Sequence, residues 1–238
     1  MKRFATLFTL LVLLVTYASA QGNSYFGGHR VLIAYFSWSG NTQRVAEEIQ
    51  RVTGGDLFRI EPVTPYPTDY TECTEVALAE RDNDARPAIA STVENWSDYD
   101  IVFIGCPVWW HTAPMIISTF AESYEFRGKT VVPFCTYAST YRDETLQKIV
   151  DLTPDAAHLT GFGSRSGSTS EVQSWLDSIN EEWTENESST GIDGITVSSQ
   201  QTDEAKIYDL SGRAVENTDS RKGVYIIRAN GKARKILK

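Results

Sequence analysis

Val31-Leu32-Ile33-Ala34-Tyr35-Phe36 runs into Ser37-Trp38-Ser39-Gly40-Asn41-Thr42, and this junction decides the fold. The first six residues are apolar and rich in strand formers, so they read as a buried strand. From Thr42 to Val52, residues Val45, Ala46, Ile49 and Val52 recur at the spacing of one apolar helical face. Between the two lies a short hydroxyl-rich loop around one glycine. A strand, such a loop and a helix together make an anion site. Free backbone N–H groups and the positive end of the helix dipole converge there, and Ser and Thr add donors.

The loop has no lysine, so it lacks the Gly-Lys-Ser/Thr end that grips nucleotide β- and γ-phosphates. It also lacks the three glycines of the dinucleotide fingerprint. A single monoester phosphate held by neutral donors suits it better. The alternative is a plain strand-to-helix turn with a Ser/Thr cap.

A second near-continuous apolar run, Asp100-Ile101-Val102-Phe103-Ile104-Gly105, reads as a central parallel strand. It ends in Cys106-Pro107-Val108-Trp109-Trp110-His111-Thr112-Ala113-Pro114. Two adjacent indoles at the carboxyl end of such a strand are either core filling or a ligand surface. In open α/β sheets ligands sit on that edge. A flat aromatic ligand with a phosphate tail would touch both loops.

On these motifs, residues 28–184 resemble a short-chain bacterial flavodoxin, whose members carry a Ser/Thr-x-Ser/Thr-Gly-Asn-Thr loop and a Pro-x-Trp-Trp segment. A third loop after Val131-Val132-Pro133-Phe134-Cys135 falls in the family's order. The resemblance implies FMN as cofactor. Ser37, Trp38, Ser39, Gly40, Asn41 and Thr42 would form the phosphate loop. Pro107, Val108, Trp109, Trp110 and His111 would flank one side of the isoalloxazine, with Trp109 or Trp110 stacked on it. Thr136, Tyr137 and Ala138 would approach the other side. Two positions depart from the family pattern. The third loop, Thr136-Tyr137-Ala138-Ser139-Thr140-Tyr141, is less Gly-rich than usual. His111 stands where a glycine often eases a peptide turn beside the flavin, and histidine tolerates positive φ less well than glycine.

The alternation along the chain favours a parallel sheet with helices on both faces. Leu57–Glu61 reads as a less buried strand. It is followed by a proline-rich loop (Pro62, Pro65, Pro67), a helix over Tyr70–Arg81 and another opening near Pro114. Then come a strand over Val131–Cys135, a helix over Tyr141–Val150, a short strand near His158–Phe162, and a closing helix over Ser170–Trp183. The expected fold is α/β, a flavodoxin-like doubly wound sheet of five parallel strands in the order 2-1-3-4-5, with a small C-terminal β module. The 238 residues, 41% of them apolar, suffice for one good core plus something small.

The termini read as addresses. Met1-Lys2-Arg3, an apolar Phe4–Tyr17 and Ala18-Ser19-Ala20 have the form of a secretory signal over residues 1–20; an uncleaved anchor is the alternative. Residues 185–194 read as a polar linker. Residues 195–238 hold short β-like runs, a Ser211-Gly212 turn and an Asn230-Gly231 hairpin signal. Ile207 to Arg213, Lys222 to Ile227 and the basic end resemble the C-terminal sorting domain of type IX secretion substrates. That resemblance implies export machinery as a partner and localisation in the periplasm, at the cell surface or outside. The alternative is a β appendage with a binding role of its own.

Net charge is −9. The signal contributes +2 and residues 207–238 contribute +5, which leaves −16 on residues 21–206. So acidic a body disfavours nucleic acid and would attract a redox partner with a basic surface, although solubility alone also explains it. Cys73, Cys106 and Cys135 show no Cys-x-x-Cys spacing. Cys106 and Cys135 end neighbouring strands, as buried fillers or as a disulfide. Three histidines, at 29, 111 and 158, support no hydrolytic triad. The expected function is electron transfer by an exported FMN protein. An NAD(P)H-dependent quinone or flavin reductase, or a surface binding protein without cofactor, stands as the alternative.

Overall fold

A computed structural model of the chain describes residues 25–190, 206–209, 224–229 and 232–237. The residues expected as a signal peptide lie outside these, as does most of the expected sorting domain. The chain divides into two compact units, Met1–Gly191 and Ile192–Lys238.

In the first unit, strands β1 (Val31–Tyr35), β2 (Asp56–Arg59), β3 (Ile101–Pro107) and β4 (Thr130–Tyr137) pair in parallel in the order β2-β1-β3-β4. The fifth place is shared by two short strands, β5 (Ala157–His158) and β6 (Phe162–Arg165), both parallel to β4. The expected order 2-1-3-4-5 is therefore found, with its last strand broken in two. The break carries Gly161, packed against Pro133. A β-carbon there would stand 3.0 Å from both the Pro133 ring and its carbonyl oxygen.

The period-2 alternation of β1 sorts side chains onto both faces. Val31, Ile33 and Tyr35 join Ile101 and Phe103 beneath α1 (Asn41–Thr53) and α5 (Val172–Thr190). Leu32, Ala34 and Phe36 join Val102, Ile104 and Cys106 beneath α3 (Met115–Glu122) and α4 (Arg142–Leu152). Both faces are covered, so β1 and β3 are buried along nearly their whole length, as an unbroken apolar run requires. The remaining helix, α2 (Tyr70–Asp82), starts at an Asp69 cap whose carboxylate accepts from the Glu72 N–H. It buries only Cys73 and Ala77.

Most boundaries shift by one or two residues from expectation, and two of the differences have a plain local cause. Helix α1 opens at Asn41, one residue early, because Gly40 at φ 87° supplies the left-handed turn into it. Helix α5 continues to Thr190, into the stretch expected as linker. Its added residues are polar, and no glycine or proline breaks the run before Gly191.

In the second unit, β7 (Lys206–Asp209), β8 (Val224–Ala229) and β9 (Lys232–Leu237) form an antiparallel sheet in the order β7-β8-β9. Ala229 pairs with Lys232 directly across the two-residue connection.

Candidate functional site

Three loops at the carboxyl ends of β1, β3 and β4 meet around a cavity of about 520 Å³. Of the expected site residues, Trp38, Ser39, Asn41, Pro107, Val108, Trp109, Trp110, His111, Thr136, Tyr137 and Ala138 line it. Ser37, Gly40 and Thr42 do not, because they build the loop from behind. Ser37, 4% exposed, accepts from the Gly40 and Gln43 N–H groups at 3.2 Å each, and so caps α1 from inside. The Thr42 hydroxyl is bonded to that of Thr136 at 2.9 Å, in the core, which ties the first loop to the third. Ser37 thus takes up the Gly40 and Gln43 donors, while Trp38, Ser39 and Asn41 line the cavity. Among the described residues the N–H groups of Trp38, Ser39 and Asn41 meet no acceptor.

The loop after β3 is a tight reversal. Trp109 and Thr112 exchange N–H···O bonds of 2.9 and 3.1 Å, and the two residues between them, Trp110 and His111, have φ of 46° and 71°. Two central residues at positive φ define a type I′ turn, normally Asn-Gly or Gly-Gly. Tertiary anchors hold it in place here. The Trp110 indole N–H donates to the Thr74 carbonyl at 2.7 Å, and Arg81 lies 5.5 Å over its ring. The His111 imidazole stacks on Tyr141, with centroids 3.9 Å apart and planes inclined by 22°. That contact joins the second loop to the third.

The two tryptophans thus differ. Trp109 is wedged edge-on against Phe36 and Tyr66, at 5.2 and 5.0 Å, and continues the core. Trp110 is fixed on α2. Behind Trp109 the Tyr66 hydroxyl donates to Glu80 at 2.8 Å. Burial raises the Glu80 carboxyl above its ordinary range, and burial together with Glu80 raises the Cys73 thiol.

The cavity has walls that sequence reasoning missed. Tyr70, Cys73, Thr74 and Ala77 of α2 form one side. No local signal marks them, since packing alone brings α2 over the cavity. Ser139, Thr140 and Tyr141 extend the third loop, and Ser166 lines the cavity as well. Ser166 did have a signal. Ser164 to Ser170 is another hydroxyl- and glycine-rich strand-to-helix connection, like the first. The three cysteines are free and buried, and Cys106 and Cys135 are register partners on β3 and β4. Burial pushes the Cys135 thiol up to about 12 and also holds the Cys106 thiol well above its ordinary value. Among the described residues no group of His, Cys, Asp or Glu is arranged to hold a metal ion, and no helix is long and apolar enough to cross a membrane.

Residues 30–179 match the flavodoxin family model. The chain belongs to the flavodoxin family. Its flavodoxin domain is similar to a candidate flavoprotein from Bacteroides eggerthii, at 38% identity over 63% of this chain and 97% of that one, with a TM-score of 0.57. A second, from Bacteroides uniformis, shares 32% identity over 62% and 97%, with a TM-score of 0.56. A flavoprotein from Lactobacillus acidophilus, solved in complex with FMN, shares the fold at 24% identity over 62% and 98%, with a TM-score of 0.54. The chain matches no curated protein.

Proposed function

We propose that this flavodoxin domain binds FMN and carries electrons between partner proteins. The observation that carries the reading is the convergence of a helix-mouth loop of neutral donors with a Trp-Trp turn on one cavity. Unbonded amides and the hydroxyl of Ser39 suit a phosphate, while the apolar walls of Pro107, Val108 and Trp110 suit a planar ring. FMN in the Lactobacillus flavoprotein of the same fold supports the choice. When bound, the isoalloxazine supplies the redox chemistry, and the chain's residues seat it, shield it from water and set the polarity around it. Ser39 and Asn41 would seat the tail end, on a loop that the Thr42–Thr136 bond holds in place. Trp110, His111 and Tyr137 flank the head.

The acidic body favours a partner with a basic surface, with attraction that falls as salt rises. The signal-like residues 1–20 and the tail of residues 195–238, which resembles a type IX sorting domain, would take the domain out of the cytoplasm through the export machinery. No stable membrane span remains once the signal is cut, and nucleic acid is not a partner. The absorption spectrum of purified mature protein is the direct test, with flavin bands expected as isolated or after adding FMN. Protein that stays colourless in excess FMN refutes the reading. Stopped-flow mixing with NADPH then separates the roles: a carrier stays oxidised until a partner reductase is added, whereas rapid direct reduction would make the protein an enzyme.

A further inference from the structure

We propose that Arg81 is a positioning residue: from α2, outside the cavity lining, it fixes the peptide between Trp110 and His111 and so makes the cavity hold an oxidised flavin ring more tightly than a reduced one. The inference rests on the FMN reading above and concerns the head of the ligand, not its phosphate.

Tyr70, Cys73, Thr74 and Ala77 give α2 one face on the cavity, and Arg81 follows Ala77 by one turn on that face. Its Nε and Nη2 both donate to Asp82 Oδ1, at 2.9 and 2.6 Å, which leaves Nη1 to donate to the Trp110 carbonyl at 3.3 Å. The guanidinium also covers the indole at 5.5 Å, and the indole N–H is taken by the Thr74 carbonyl. Backbone and side chain of Trp110 are thus both fastened to α2. The Arg81 side chain is 34% exposed, so its influence on a ligand passes through Trp110, which does line the cavity.

A trans peptide sends its C=O and N–H in opposite directions. With the Trp110 carbonyl turned to Arg81, the His111 N–H points away from it, beside a cavity that both residues line. Among the described residues that N–H meets no acceptor. Turning the peptide over would convert the type I′ turn into type II′, which keeps positive φ only at the first central residue and normally has glycine there. Here that residue is Trp110. Arg81 adds a donor that holds the carbonyl where it is, since a guanidinium can only donate. A fixed backbone N–H suits a ligand edge that accepts. Oxidised isoalloxazine has bare ring nitrogens, and two-electron reduction places hydrogens on them, so the N–H pairs with the first form and not with the second.

The test is titration of the full-length apoprotein with oxidised FMN, with oxidised riboflavin and, anaerobically, with reduced FMN, for wild type, Arg81→Ala, Arg81→Lys and Asp82→Asn. Arg81→Ala should weaken oxidised FMN and riboflavin alike, about five-fold, the scale of one hydrogen bond, and change reduced FMN by less than about two-fold. The midpoint potential then rises by about 20 mV, since a ten-fold change in the affinity ratio is about 30 mV for two electrons. Arg81→Lys should raise it likewise, because an ammonium lacks the planar fork that holds both Asp82 and the carbonyl. Asp82→Asn should give a smaller rise of the same sign. A positive charge acting by its field alone predicts the reverse. It favours the more electron-rich reduced ring, so Arg81→Ala would lower the potential and Arg81→Lys would leave it at the wild-type value. That result, or an unchanged ratio of oxidised to reduced affinity in all three variants, overturns the inference while the FMN reading stands. Wild type that binds no flavin overturns both.

Discussion

Replacing Thr42 with valine removes one end of the hydroxyl–hydroxyl bond that ties the first loop to the third inside the core. The Thr42 and Thr136 hydroxyls are 2.9 Å apart, 94 residues apart in sequence, and 1% and 4% exposed. Valine keeps the shape but strands the surviving hydroxyl away from water. A buried polar group left without a partner costs about 1–3 kcal/mol, whereas replacing both partners by apolar groups of the same shape can be nearly neutral. Thr42→Val and Thr136→Val should therefore each cost about 1–3 kcal/mol, and the double variant should cost less than the sum of the two. For a domain of this size that is roughly 2–12 °C in Tm for each single change. Urea unfolding followed by tryptophan emission isolates the effect, since all six tryptophans lie between residues 38 and 183. The second unit is silent in that signal. The single variants should also bind FMN more weakly, as the loops lose their mutual register. Strictly additive losses, or single losses below about 0.5 kcal/mol, would refute the reasoning, because the hydroxyls would then have other partners or water.

Three other outcomes follow from the geometry. His111→Gly gives up a ring stack of about 0.5–1.5 kcal/mol and relieves a left-handed backbone cost of about 1–2 kcal/mol, so Tm should barely move. The flavin midpoint potential should shift, and an unchanged potentiometric titration would remove His111 from any redox role. Glu80 holds its proton more tightly folded than unfolded, because burial raises it from the ordinary 4.5. The folded state then binds the extra proton, and stability falls as pH rises from about 4.5 through the raised value. Glu80→Gln should abolish that slope and be the more stable form at neutral pH; parallel urea midpoints against pH for the two proteins would exclude the effect. Native protein should react slowly with a thiol reagent at pH 8, since all three thiols are buried, and should yield three free thiols once denatured. A count of one would mean that Cys106 and Cys135 are joined.

Much of the domain is written locally. An unbroken Val31–Phe36 run can only be a strand covered on both sides. The Ser37–Thr42 loop, followed by Val45, Ala46 and Ile49 at helical spacing, places an anion-binding turn at its end. The Ile101–Pro107 run does the same for the indole pair. Chain alternation then implies a parallel sheet with helices on both faces, and the resemblance to flavodoxins implies its strand order. The boundaries follow less well, because they depend on single residues such as Gly40 and on the polar run that lets α5 continue to Thr190.

What the chain could not reveal by itself is who touches whom across it. Helix α2 reads as a modest amphipathic segment, and nothing in it announces a cavity wall. Only the packing of Cys73, Thr74 and Ala77 opposite the Trp110 turn makes it one. Trp109 and Trp110 are adjacent and chemically equal, yet one is wedged among Phe36 and Tyr66 and the other is pinned by the Thr74 carbonyl. Likewise the lysine-free loop reads as uncharged, while Arg44 and the distant Ser166–Gly167 turn meet over it. Periodicity and turn chemistry are properties of neighbours along the chain, so sequence determines the elements and the loops that join them. Pairings between residues a hundred positions apart arise only when the sheet assembles, so tertiary structure alone decides which loops share a cavity.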